Sequence, residues 1–211
     1  MSVQRVFVDA NVLASRVQRD WLFLIGGEVR MFDTYISEDV LAETIRAHRR
    51  RHPDADGGEI TRLRSRLVNA ADHMVDDFPG ALTFVGADTH DQHVHAAAAA
   101  CGAHKLLTCD TGFLGLDDAL MDQLPYEPWH PDDFFLLVND SAPHAVRAVV
   151  QEQMRYWLKQ DGGTPELAGR LQSAQCPGFA SVVRSHLAAL SGPGGLRAYE
   201  RTLLLEGTSA R

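Results

Sequence analysis

Arg5-Val6-Phe7-Val8-Asp9-Ala10-Asn11-Val12-Leu13 is the stretch that decides the fold. Its first four residues form a short β-branched and aromatic run that stops at an aspartate, the pattern of a buried strand. Asn11-Val12-Leu13-Ala14 then starts a helical stretch expected to reach about Ile25 and to be broken by Gly26-Gly27. The same pattern returns at Lys105-Leu106-Leu107-Thr108-Cys109-Asp110, again a strand that stops at an aspartate.

Between these two segments, strand and helix signals alternate. Residues 29–36 read as a second strand. Ser37 is placed to cap a helix that carries Glu38 and Asp39 in its first turn and stops before Pro53. Ile60 to Ala71 has helical spacing, Leu82 to Val85 reads as a short strand, and Asp88-Thr89-His90-Asp91 opens an alanine-rich helix that ends at Gly102. Alternation of this kind implies an α/β fold with a mostly parallel sheet covered on both faces. From Pro125–Pro131 onward only helices are expected: one from Pro131, one over Ala145 to Lys159, one capped by Thr164-Pro165-Glu166, and two over Phe179 to Leu190 and Leu196 to Leu205. The expected organisation is therefore 1–130 as the α/β domain and 131–211 as an all-α extension.

Composition narrows the function classes. The chain has 211 residues, 45% of them hydrophobic, which suits a globular protein with a sizeable core. Apolar runs such as Trp21 to Ile25 are too short to span a bilayer, and its start lacks a signal-peptide pattern, so a cytoplasmic protein with no membrane partner is expected. Cys101, Cys109 and Cys176 are odd in number and have no paired spacing, which points to free thiols. The net charge is −8, yet Arg46, Arg49, Arg50, Arg51, Arg62, Arg64 and Arg66 crowd one segment. That segment reads either as a phosphate-binding patch or as solvated helix surface.

The carboxylates suggest the chemistry. In open parallel sheets the ligand crevice lies beyond the carboxyl ends of the strands. Asp9 and Asp110 stand at such ends, although each alone could simply cap the next helix. Glu43 shares a helix face with Val40, Thr44 and Ala47, and Asp91 shares one with Val94, Ala98 and Cys101. Asp91 also has a capping alternative through Asp88, and Glu43 could be a solvated edge residue. Clustered carboxylates are tolerated mainly where a cation neutralises them, and an all-oxygen set suits Mg²⁺ or Mn²⁺. Such a cluster can activate water against a phosphodiester. His90, His93 and His95, and the pair His48 and His52, read as solvated surface histidines.

Val8-Asp9-Ala10-Asn11-Val12-Leu13, Ser37 to Glu43, Asp88 to Val94 and Leu107-Thr108-Cys109-Asp110 with Phe113 together resemble the PIN domain, in the order found in its VapC-like toxin branch. The resemblance covers about residues 5–115. It implies a three-layer α/β/α fold and a Mg²⁺- or Mn²⁺-dependent ribonuclease leaving 5′-phosphate and 3′-hydroxyl ends. By position, Asp9, Glu43, Asp91 and Asp110 would be the metal site. Asn11 would orient Asp9 or a bridging water, Thr108 would bond to the site, and Asp88 would stand behind it. Many relatives carry a further acidic residue where this chain has Gly112, which bears on a second metal position. Pro131-Asp132-Asp133-Phe134-Phe135-Leu136 and Gly178-Phe179-Ala180 resemble the helical extension of some VapC-like proteins.

The resemblance implies an RNA substrate and a protein antitoxin as partner. The extension is expected to pack its first helix on the α/β domain and to leave the others for a homodimer contact or an antitoxin groove. Two other readings stand beside it: a processing or structure-specific nuclease without an antitoxin, and a non-catalytic interaction module that keeps the fold.

Overall fold

Val6, Phe7 and Val8 are fully buried, as expected of a strand packed on both faces. In the computed structural model, which describes residues 3–80, 82–86, 88–161 and 166–191, they lie in β1 (Gln4–Val8), the central strand of a five-stranded sheet. The others are β2 (Phe32–Ser37), β3 (His73–Val75), β4 (Lys105–Leu107) and β5 (Glu127–Trp129). Their order is β3-β2-β1-β4-β5, and every pairing is parallel. The fold is thus α/β with a helical C-terminal part.

The connections are helical. α1 (Ala10–Ala14) and α2 (Arg16–Val29) join β1 to β2, and α3 (Glu38–Arg51) and α4 (Gly57–Ala70) join β2 to β3. A 3-10 turn (Thr89–Asp91) and α5 (Gln92–Ala100) precede β4, while α6 (Thr111–Leu114) and α7 (Asp118–Met121) precede β5. α8 (Pro131–Ser141), α9 (Pro143–Asp161), α10 (Leu167–Ser173) and α11 (Pro177–Ser191) follow.

Several sequence expectations need correction. Gly26-Gly27 does not break the helix: α2 runs through both and ends at Arg30, whose φ is 48°. Gly26 instead admits the Phe32 ring, which a Cβ there would meet at 3.2 Å. The break falls earlier, at Ser15, whose hydroxyl accepts from the Gln18 amide and starts α2. Residues 82–85 form no strand. Phe84 is buried, with its ring 4.6 Å from that of Phe113, and the outer place beside β2 goes to His73–Val75. β5 has no counterpart among the sequence expectations. The cap at residues 164–165 and the helix over 196–205 lie outside the described residues.

The extension does not leave its later helices free. The Phe179 ring of α11 meets Trp21 of α2 at 5.2 Å and Phe135 of α8 at 5.1 Å, while Phe134 meets Phe32 of β2 at 5.0 Å. Leu171, Phe179, Ala180 and Val183 are all buried in the same core as the sheet. The Asp132 carboxylate accepts from the backbone N–H of Gly178 (2.9 Å) and Phe179 (2.7 Å), so the two quoted segments of the extension are bonded directly to each other. Among the described residues, no helix is long and apolar enough to cross a membrane. The three cysteines are free; Cys176 is buried and the other two are half-buried.

Candidate active site

The chain runs from β1 outward through β2 and β3, then returns to the other side of β1 for β4 and β5. The strand order therefore reverses between β1 and β4, and a ligand crevice is expected beyond their carboxyl ends. A cleft of about 360 Å³ occurs there, lined in part by Asp9, Asn11, Glu43, Asp91 and Asp110. Glu43 comes from α3 and Asp91 from the turn before α5, so four separate elements bring carboxylates to one place.

Asp9 and Asp110 both cap helices, as the simpler reading of each predicted, but this does not remove them from the cleft. Asp9 Oδ1 accepts from the Ala10 N–H at 2.5 Å, and Asp110 Oδ1 accepts from the Gly112 N–H at 2.6 Å. Asp9 Oδ2 accepts from Asn11 Nδ2 and from the Thr108 hydroxyl, each at 2.6 Å. Thr108 is fully buried, and its hydroxyl also accepts from Asn11 Nδ2 and the Asp110 N–H, each at 3.0 Å. Asn11 Oδ1 in turn accepts from the Cys109 N–H at 2.9 Å. The ends of β1 and β4 are thereby laced into one network. Asn11 and Thr108 both donate to Asp9 within it.

Asp91 differs from these two. It makes no side-chain cap on α5. Its Oδ2 is buried with no hydrogen-bond partner and lies where a Cβ on Gly112 would be only 2.8 Å away. Burial pushes the Asp91 carboxyl up to about 6, helped by the charges of Asp110, Asp88 and Asp9. Burial likewise raises Asp9, with Glu43 and Asp110 adding to the effect against the Thr108 and Ala10 hydrogen bonds. Asp88 is exposed and caps the turn through the His90 N–H at 2.8 Å.

A divalent cation would suit this place. The donors are oxygens, as hard cations prefer, one buried carboxylate oxygen is orphaned, and the carboxylates destabilise one another's charge. Among the described residues, no group of three or more His, Cys, Asp or Glu side chains is close enough to hold a metal as it stands. A Cβ on Gly112 would crowd Asp91 Oδ2 and stand 3.1 Å from Asp110 Oδ1.

The arginines divide. Arg46, Arg50 and Arg51 line the carboxylate cleft. Arg66 lines a neighbouring cleft, Arg49 donates to the Ala55 carbonyl at 3.3 Å, Arg64 pairs with Glu38, and Arg62 lines neither cleft. Three histidines correct the surface reading, the first being His48, half-buried with Nε2 2.9 Å from Glu59 Oε1. His95 is buried and bonded to the Tyr126 hydroxyl at 2.8 Å, and His93 is half-buried in the cleft wall with Nε2 3.6 Å from Glu43 Oε2. The i, i+2 spacing of His93 from Asp91 hides this nearness, because Glu43 arrives from another helix.

Residues 131–185, about a quarter of the chain, match the family model described as VapC50 C-terminal domain. No curated protein and no solved structure matches the chain.

Proposed function

We propose that this chain is a Mg²⁺- or Mn²⁺-dependent endoribonuclease and the toxin of a toxin–antitoxin pair, with residues 1–130 as the nuclease unit. The observation that carries the reading is the arrival of Asp9, Glu43, Asp91 and Asp110 at one cleft beyond β1 and β4. The family-model match in the extension supports the toxin assignment and, with it, a protein antitoxin as partner.

In this reading the four carboxylates hold the cation, with substrate phosphate supplying further oxygens. The cation would contribute an activated water and neutralise charge developing at the phosphodiester. Asn11 and Thr108 fix the orientation of Asp9 by donating to its Oδ2. Arg46, Arg50 and Arg51 bring positive charge to the cleft wall, where the phosphates of the RNA would lie.

The test is cleavage of RNA by the full chain with Mg²⁺ or Mn²⁺, with chelator, and with Asp9→Asn. Cleavage that needs the metal and is lost in the variant is expected. A chain that binds neither metal nor RNA would be the interaction module. Cleavage without any effect on cell growth, with or without a neighbouring DNA-binding protein, would point to the processing nuclease.

A further inference from the structure

Ala14 and Arg51 line the carboxylate cleft and also a second, larger one of about 1190 Å³. The two clefts are neighbours with a shared wall. The second is lined by Arg16 and Arg19 of α2, Arg51 of α3, Arg66 of α4 and Arg170 of α10, against the carboxylates of Glu59 and Glu166. Glu59 already faces His48 at 2.9 Å. In a chain of net charge −8, this concentration of guanidinium groups stands out from its surroundings.

Three of these guanidinium groups make contacts with neutral groups. Arg51 Nη1 donates to the Ala14 carbonyl at 2.6 Å, and Arg19 Nη1 to the Leu13 carbonyl at 3.1 Å. Arg170 lies over the Trp157 ring at 4.0 Å. Arg16 and Arg19 share the single carboxylate of Asp20, at 3.5 and 3.2 Å. A planar guanidinium fixed in this way is pre-organised for phosphate, because less side-chain freedom is lost on binding.

We infer that this arginine cleft holds the RNA strand that continues beyond the bond being cleaved, and that α10 of the extension completes it through Arg170. The inference rests on the nuclease reading. A strand is favoured over a small anion because the positive charge is spread along two adjoining clefts, matching a repeating phosphate backbone. The extension is then part of the substrate-binding surface as well as of the core.

The experiment is fluorescence anisotropy of an unstructured RNA oligonucleotide, long enough to span both clefts, titrated with the full chain in chelator at several salt concentrations. Arg16→Gln/Arg170→Gln should weaken binding about tenfold and make the log–log salt slope shallower by about 0.7 for each phosphate no longer neutralised. Arg184→Gln, on the exposed face of α11, is the control and should bind as the parent does. Arg66→Gln tests the same cleft without touching the Trp157 stack if the double variant melts early. Unchanged affinity in both variants, or weaker binding with an unchanged slope, overturns the inference. If the parent cleaves RNA while the variants bind normally, only the cleft assignment falls. If the parent neither binds nor cleaves RNA, the nuclease reading falls with it.

Discussion

The Thr108 hydroxyl donates to Asp9 Oδ2 at 2.6 Å across 99 positions of sequence. The Thr108 oxygen itself accepts from Asn11 Nδ2 and from the Asp110 backbone, so its hydrogen-bonding capacity is fully used. Thr108→Val should leave these groups unpaired and cost about 1–3 kcal/mol of stability. Cleavage should fall about 10- to 100-fold, the usual penalty for losing a partner that orients a metal ligand. Thr108→Ser should recover most of both. Denaturant titration and initial cleavage rates check the pair.

Asp9→Asn should lower metal-dependent cleavage by about 100-fold or more, since several kcal/mol of transition-state stabilisation pass through the site. Two effects on the fold oppose each other. The variant relieves carboxylate repulsion, but its single amide oxygen cannot serve both the Ala10 N–H and the Asn11 and Thr108 donors, as the two carboxylate oxygens do. A melting temperature within a few degrees of the parent is expected, with the loss confined to catalysis.

Asp91 gives a pH prediction. Its folded carboxyl, pushed up to about 6, lies above the ordinary value of 3.8. A raised carboxyl contributes its stability below the unfolded value and loses it as pH rises through the folded one. In chelator, stability should therefore fall between about pH 4 and pH 6. Asp91→Asn should flatten that fall and stabilise the protein at pH 7 by about 1 kcal/mol, after discounting for solvent screening of a partly exposed group. Thermal melts of both proteins across this pH range provide the measurement. A steeper fall in the variant would contradict the assignment.

The arginines of the original basic segment should not act alike. Arg46 and Arg50 line the carboxylate cleft, whereas Arg64 pairs with Glu38. Arg46→Gln and Arg50→Gln should each make the salt slope of RNA binding shallower by about 0.7, and Arg64→Gln should change it less. Equal effects at all three positions would mean a diffuse electrostatic patch.

Asp132→Ala removes the acceptor of two backbone N–H groups at the start of α11. A lost cap of this kind costs about 1–2 kcal/mol. Melting should drop by about 2–4 °C per kcal/mol at this chain length. Since α11 carries Phe179 into the shared core, the loss should appear as one cooperative transition.

The site was more legible in the sequence than some of the sheet was. Asp9 and Asp110 follow apolar runs that read as buried strands, and helical spacing puts Glu43 and Asp91 each on a mostly packed face. β3 was not legible because it is three residues long, has an exposed histidine at its start, and takes its place by pairing with β2. Residues 82–85 carry a stronger strand pattern, but Phe84 is used for packing against Phe113 instead of for a ladder. β5 contains a proline, which on local grounds argues against a strand. Its position at the sheet edge makes the missing N–H tolerable. The second arginine cleft was invisible for another reason. Arg16, Arg51 and Arg170 are far apart along the chain, and only the packing of α10 on α2 brings them together.

Of the five strands described, the central one is also the first to be synthesised. β1 leaves the ribosome about 100 residues ahead of β4, its second neighbour and the source of Thr108, a lag of about 5–20 s at ordinary elongation rates. Through that interval Asp9 cannot acquire its Thr108 partner, and the carboxylate cleft cannot close around it. Phe179, which fills the core against Trp21, arrives later still. Folding to the final state therefore waits for α11 to emerge, and a ribosome-bound fragment ending before β4 carries no assembled site.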